Sequence, residues 1–192
     1  MRRLIVSNMM TLDGFVAGPN GELDWFVYEG FVKNTEFGQY AREVISSVDA
    51  ILLGRHTYEE FLSYWPSATN DDPVITERMN SLPKTVFSRT LNKVEWGKWN
   101  NARLAEENAG EEVKRMKGES GRDLVIYGSA DLTSYLMKLG LIDEFQIFVH
   151  PIVLGKGKPQ FKDLNERYML KLVRTLPPFK TGVVGLIYQP LK

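Results

Sequence analysis

The chain has 192 residues, a length that fits one domain and lets it bury roughly two thirds to three quarters of its unfolded surface. Lys plus Arg and Asp plus Glu both number 24, so there is no excess charge of the kind that tracks nucleic acid or an anionic membrane, and the expected partner is a small molecule. Cysteine is absent, which removes thiol nucleophiles, disulfides and cysteinyl metal sites and fits a reducing, cytoplasmic setting. No segment approaches the roughly 20 apolar residues of a membrane span, and the apolar start is interrupted by Ser7 and Asn8, unlike a signal peptide.

In chain order the pattern alternates strands and helices, without repeats or linkers, over a single domain of residues 1–192. Leu4 to Met9 reads as the first strand, followed by turns at Asp13-Gly14 and Pro19-Asn20-Gly21. Between Asn34 and Val48, apolar residues at Phe37, Tyr40, Ala41, Val44, Ile45 and Val48 keep a helical period. Ala50 to Leu53 is a short continuous apolar run, the signature of a strand buried on both faces. Gly54 ends it, and Thr57 three residues before Glu60 forms an S/T-x-x-E capping box that predicts a helix from Thr57 to Trp65. Pro66 to Pro83 reads as a long connection. Lys84 to Phe87 is the next strand, and the charged stretch Ala105 to Gly118 reads as a solvated surface helix. Strand Leu124 to Tyr127, helix Asp131 to Leu139 with Gly140 as its C-cap, and strands Glu144–Val149, Tyr168–Thr175 and Val183–Gln189 complete the chain.

Three of these strands end in donor-rich corners. Gly54, Arg55, His56 and Thr57 follow the first, Ser88, Arg89 and Thr90 the second, and Gly128, Ser129, Ala130 and Asp131 the third. In an open α/β sheet ligands sit outside the carboxyl ends of the strands, so the corners are expected to converge on one extended phosphate-bearing ligand, a dinucleotide. Arg55 and Arg89, with Ser88, suit an additional ribose phosphate and favour NADPH over NADH. Each corner alone also fits an ordinary crossover with a surface arginine. Competing motifs fail. No G-x-G-x-x-G follows a strand, Gly155-Lys156-Gly157-Lys158 lacks Walker A spacing, and no G-x-S-x-G is present. The only histidines, His56 and His150, are far apart, so no metal site is expected.

The segments LIVSNMMTLDGFVAG, ILLGRHTYEEF, TVFSRTL and LVIYGSADLTSYLMKLGLIDEFQIFVHPIVLGKGKPQF give the chain a resemblance to the dihydrofolate reductase fold family. Within it, the chain is similar to the reductase domain of bacterial riboflavin-biosynthesis deaminase-reductases. The resemblance covers nearly the whole chain. It implies an α/β fold with a mixed, mostly parallel sheet flanked by helices and a β-rich C-terminal segment. It also implies NADPH-dependent reduction of a pterin-like or ribosylaminopyrimidine-like substrate, and a homodimer. Relatives often carry Gly-Gly where this chain has Gly128-Ser129, a departure at the phosphate corner. The H-x-E and P-C-x-x-C ligands of a zinc deaminase are missing.

A reductase needs a proton source beside the carbon that takes the hydride. The loop Ala17 to Phe26 is expected near the nicotinamide, with Ala17 counted among the cofactor contacts and Trp25 and Phe26 as a platform for a flat ring. Asp24, between Leu23 and Trp25, is the first candidate acid, followed by Glu22 and Asp13; Asp13 also fits a simple turn cap. The alternative to an enzyme is a nucleotide-binding or regulatory module of the same fold, without turnover.

Overall fold

Apolar residues on both faces of several short strands call for a sheet covered on both sides, and the computed structural model, which describes residues 1–25, 36–69 and 71–191, has that form. Eight strands make one sheet in the order β5-β4-β3-β6-β1-β7-β10-β9: β1 (Leu4–Thr11), β3 (Val48–Gly54), β4 (Lys84–Phe87), β5 (Ala102–Leu104), β6 (Asp123–Tyr127), β7 (Glu144–His150), β9 (Leu170–Thr175) and β10 (Val184–Pro190). The pairs from β5 through β7 are parallel, and β10 and β9 add an antiparallel edge. β2 (Phe15–Ala17) and β8 (Lys158–Pro159) form a separate two-stranded ribbon.

The pleat sorts the core into layers. Leu4, Val6, Leu52, Leu124 and Ile126 face Val113 and Met116 of α4 (Ala109–Gly118) and Leu132 and Leu136 of α5 (Ala130–Lys138). Ile5, Ile51, Leu53 and Val125 face the other way. They meet Ile45 of α1 (Glu36–Ser47), Tyr58 of α2 (Arg55–Tyr64), and Ile75 and Met79 of α3 (Pro73–Ser81). The sheet thus carries three helices on one face and two on the other, the expected α/β order.

Several boundaries differ from the sequence reading for local reasons. α3 lies inside the connection expected between Pro66 and Pro83. Its start is marked by Asp72, whose carboxylate accepts from the amides of Val74 at 3.0 Å and Ile75 at 3.3 Å, with Pro73 in the first turn. The helix expected from Ala105 begins at Asn108, an N-cap accepting from Gly110, and β5 precedes it. Nor is α4 wholly solvated. Glu112 is fully buried, and although burial pushes its carboxyl up, Arg103 and Arg115 hold it below the usual range. Gly140, at φ +64°, closes α5 as expected, its amide bonding Met137 and that of Leu141 bonding Leu136, a Schellman pattern.

The first residue of β4 is a buried lysine that meets no carboxylate among the described residues. Lys84 Nζ donates to the carbonyl of Asn80 at 2.6 Å and lies 4.3 Å from the Trp96 ring centroid, and burial pulls the amine down to about 7. Its folded pKa lies below the unfolded value of 10.5, so the unfolded chain binds the extra proton and stability rises with pH between those limits. Lys84→Met is expected to be neutral to about 2 kcal/mol stabilising at pH near 7, since Asn101 also donates to the Asn80 carbonyl at 2.8 Å. Urea midpoints at neutral and alkaline pH check it; a variant that keeps the wild-type pH slope contradicts it.

Candidate functional site

β4, β3 and β6 are parallel neighbours, so their carboxyl ends lie side by side and their three corners open on one cleft of about 1460 Å³. Every residue expected at a cofactor lines it: Ala17, Gly54, Arg55, His56, Thr57, Ser88, Arg89, Gly128, Ser129, Ala130 and Asp131.

The first and third corners are tied together. The helix expected from Thr57 starts two residues earlier, with Gly54 as N-cap and no side-chain cap, so Thr57 and Glu60 form no capping box. Instead Thr57 Oγ1 accepts from the Ser129 amide at 3.2 Å, and the Gly54 amide donates to Ser129 Oγ at 2.6 Å. Gly128 and Ser129 are both left-handed, at φ +60° and +57°. Ser129, where relatives often carry a second glycine, thus stands in a left-handed backbone form that glycine adopts most readily. A serine tolerates it because its hydroxyl is held on both sides, by Gly54 and by Thr57 or the Tyr127 carbonyl. A Cβ on Gly128 would stand 2.6 Å from Thr57 Oγ1, so Gly128 is required for the contact between corners and not only for room at a ligand.

The first bond into α5 runs from the Thr133 amide to the Ser129 carbonyl, which leaves the amides of Ala130, Asp131 and Leu132 without helical acceptors. These residues line the cleft, as do the first three of α2. Two helix N-termini, with their partial positive charge, thus meet one space. Arg55 is braced by both carboxylate oxygens of Glu59 at 3.2 Å, and its Nη2 lies 2.9 Å from His56 Nε2. Arg89 is exposed, and among the described residues its guanidinium makes no ion pair. Ser88 Oγ accepts from the Thr90 and Leu91 amides at 3.1 and 3.0 Å, so it shapes its corner and keeps only its proton to offer a ligand. The Asp131 carboxylate pairs with Lys162, whose ammonium it pushes up.

The loop after β1 is built differently from expectation. None of Asp13, Glu22 and Asp24 lines the cleft. Asp13 staples the turn, accepting from Thr11 Oγ1 at 2.6 Å and from the Leu154 and Gly155 amides at 3.2 and 2.7 Å, and these bonds hold its carboxyl below the usual range. Glu22 caps the next turn through the Asn20 amide at 2.9 Å and side-chain amide at 2.7 Å, and is likewise lowered by local hydrogen bonds. Asp24 is exposed, so its apolar sequence neighbours do not desolvate it. Trp25 is buried and packs edge-on against His150 at 5.2 Å, a core contact in place of a substrate platform. Phe26 lies outside the described residues.

Sequence reasoning missed Glu60 and Lys158, both in the lining. Glu60 is exposed at the rim of the lining, and the cover it does have pushes its carboxyl up, with Lys158 pulling it down and Glu59 pushing it up again. The signal was hidden because a Glu three residues after a Thr reads as a cap. Lys158 is placed by the ribbon of β2 and β8, where a Cβ on Gly157 would stand 2.3 Å from the Ala17 carbonyl. Among the described residues no cluster of His, Asp and Glu could hold a metal ion, and no helix is long and apolar enough to cross a membrane.

A mostly parallel sheet with an antiparallel edge, helices on both faces and a cleft at the strand ends define the dihydrofolate reductase-like class. The fold matches dihydrofolate reductase from Enterococcus faecalis complexed with NADP(H), with a TM-score of 0.64 and 13% identity over 99% of this chain and 97% of that one. It also matches a candidate riboflavin biosynthesis protein from Shewanella sp. PV-4, with a TM-score of 0.78 and 23% identity over 99% of each chain. The protein YyaP of Bacillus subtilis (strain 168) is 38% identical over 191 residues, 97% of this chain and 94% of that protein. Residues 2–177 match the RibD C-terminal domain. The chain belongs to that family, a family of reductase-like enzymes.

Proposed function

We propose that this protein is an NADPH-dependent reductase that transfers a hydride to a pterin-like or ribosylaminopyrimidine-like substrate, similar to 5-amino-6-(5-phosphoribosylamino)uracil reductases, and that it works as a cytoplasmic homodimer. The observation that carries this reading is the convergence of three donor-rich strand corners on one cleft, two of them helix N-termini and one bearing Arg89. The site fits the cofactor. Unpaired first-turn amides of α2 and α5 suit a pyrophosphate, and the exposed Arg89 with the Ser88 hydroxyl suits a ribose phosphate. Bound there, NADPH would supply the hydride. The protein's own part is to bind the phosphates, hold the Gly54, Thr57 and Ser129 knot rigid, and keep the ring end of the cleft dry.

Arg89→Ala is expected to weaken NADPH by about 1.5 to 3 kcal/mol, roughly tenfold to a hundredfold, and to leave NADH unchanged. Titration of both cofactors at one salt concentration measures it, and equal wild-type affinities for the two would overturn the preference. A second reading, a nucleotide-binding module without turnover, draws on the absence of Asp13, Glu22 and Asp24 from the lining. Loss of NADPH absorbance with dihydrofolate or the ribosylaminopyrimidine phosphate separates the readings. Binding without turnover across such a panel would favour the module. Light scattering checks the dimer.

A further inference from the structure

The three corners differ in charge. The first carries Arg55 and the second Arg89, but the third carries an acid, Asp131, in the first turn of α5. Its side chain is 77% exposed, at the helix end where the amides of Ala130, Asp131 and Leu132 lack helical acceptors. A diphosphate arriving there would meet a like charge. The compensating cation comes from another segment. Lys162, beyond the ribbon of β2 and β8, pairs with the Asp131 carboxylate, and both residues line the cleft.

That segment is fixed from beneath the corner. Asn8, buried on β1, donates its side-chain amide to the Gly128 carbonyl at 3.1 Å and to Gln160 Oε1 at 2.7 Å. Gln160 is fully buried, and its backbone amide donates to the Gly14 carbonyl at 2.9 Å. Two residues on, the Lys162 amide donates to Ser134 Oγ of α5 at 3.3 Å. The backbone of Lys162 is thereby tied to the helix whose first turn its ammonium faces and, through Gln160 and Asn8, to the glycine that opens the corner. The side chain itself is 41% exposed, and Asp163 sets a second carboxylate near it. An ion pair this open to water contributes little to stability, so sharing the ammonium with another anion costs little. Its three donors can hold a carboxylate and a phosphate oxygen together.

We propose that Lys162 completes the third corner as a diphosphate site, its ammonium bridging the Asp131 carboxylate and the diphosphate of the ligand, and that the Asp131 charge holds the affinity below what the corner would otherwise give. This rests on the reading that places the phosphates of a dinucleotide at the α2 and α5 N-termini. The two side chains then have opposite effects on one ligand. Lys162 attracts it, and Asp131 both positions that ammonium and repels the incoming charge.

The test titrates the whole protein calorimetrically with NADPH and, separately, with inorganic pyrophosphate. Lys162→Met is expected to weaken both about tenfold, and Asp131→Asn to tighten both about threefold to tenfold at roughly 50 mM salt, a gain that shrinks at about 500 mM. Lys114→Met is the comparison: its ammonium pairs with Glu111 on the exposed side of α4, so it removes the same charge elsewhere and should leave both affinities unchanged. Melting curves of the ligand-free variants are expected to stay within about 3 °C of wild type, and Lys162→Arg to keep most of the binding. Unchanged affinities in Lys162→Met, or losses matched by Lys114→Met, overturn the site, as does failure of wild type to bind either compound. Weaker binding in Asp131→Asn overturns the repulsive role and assigns its carboxylate to a ligand hydroxyl. Pyrophosphate binding that depends on Lys162, with no binding of NADPH, upholds the site and counts against the cofactor reading instead.

Discussion

Gly128→Val is expected to lower the melting temperature by roughly 5 to 15 °C, corresponding to about 2 to 5 kcal/mol in a chain of this size. Two costs add. A β-branched residue at φ +60° is strained wherever it stands, and its Cβ would lie 2.6 Å from Thr57 Oγ1 and 3.0 Å from Thr57 Cγ2, in a corner already fixed by bonds from Ser129 and Gly54. The contributions separate in a double-mutant cycle. Gly128→Ala alone keeps the strain and the contact, and combining it with Thr57→Ala removes the two closest atoms. The double variant is expected to recover the contact part and not the strain. Additive thermal shifts would show that the corners do not touch. Loss of NADPH binding should accompany the thermal shift, because the same contact aligns the two helix N-termini. A variant of wild-type stability that fails to bind would mean that Gly128 acts on the ligand directly.

The three-corner half of the cleft, where the proposed cofactor would bind, was legible because its determinants are local. A strand ending in Gly, followed by Arg or Ser and then a helix, announces a corner wherever the chain later folds, and adjacency of β4, β3 and β6 follows from parallel crossovers. The loop after β1 was not, because the contacts of its carboxylates are tertiary. Asp13, Glu22 and Asp24 look alike in sequence, each a carboxylate in a turn-rich loop. What distinguishes them is which amides each meets: Leu154 and Gly155 for Asp13, Asn20 for Glu22, and solvent for Asp24. Glu60 was misread by a rule that is right in general. An S/T-x-x-E pattern predicts a cap only if the helix begins at the Thr, and here the chain enters the helix directly from Gly54, which frees the Thr57 hydroxyl for Ser129 and turns Glu60 to the cleft. Asp72-Pro73 before Val74, Ile75 and Met79 was a readable helix start for α3, obscured by the surrounding prolines.

The loop that walls the cleft beside Lys158 is expected to loosen in acid because of His150. This residue ends β7 opposite Thr11, is fully buried, and packs against Trp25; Leu23, two residues before Trp25, is in the cleft lining. Burial pulls the imidazole from 6.5 down to about 4. Because the folded pKa lies below the unfolded one, the unfolded chain binds the extra proton between those values. The stability is fully present above pH 6.5 and is lost as pH falls toward 4, by an amount on the order of 3 kcal/mol. Asp13, Glu22 and Glu112, all held below their usual range, also lose stability in acid, so the test is a difference. Urea midpoints of wild type and His150→Gln are compared from neutral pH to pH 4, and the gap between them is expected to narrow on acidification as wild type loses the larger share. Parallel curves would assign the acid sensitivity to the carboxylates alone. NADPH affinity measured over the same range should fall more steeply in wild type than in the variant, since the imidazolium would disturb Trp25 and, through it, the wall that carries Gly21 and Leu23.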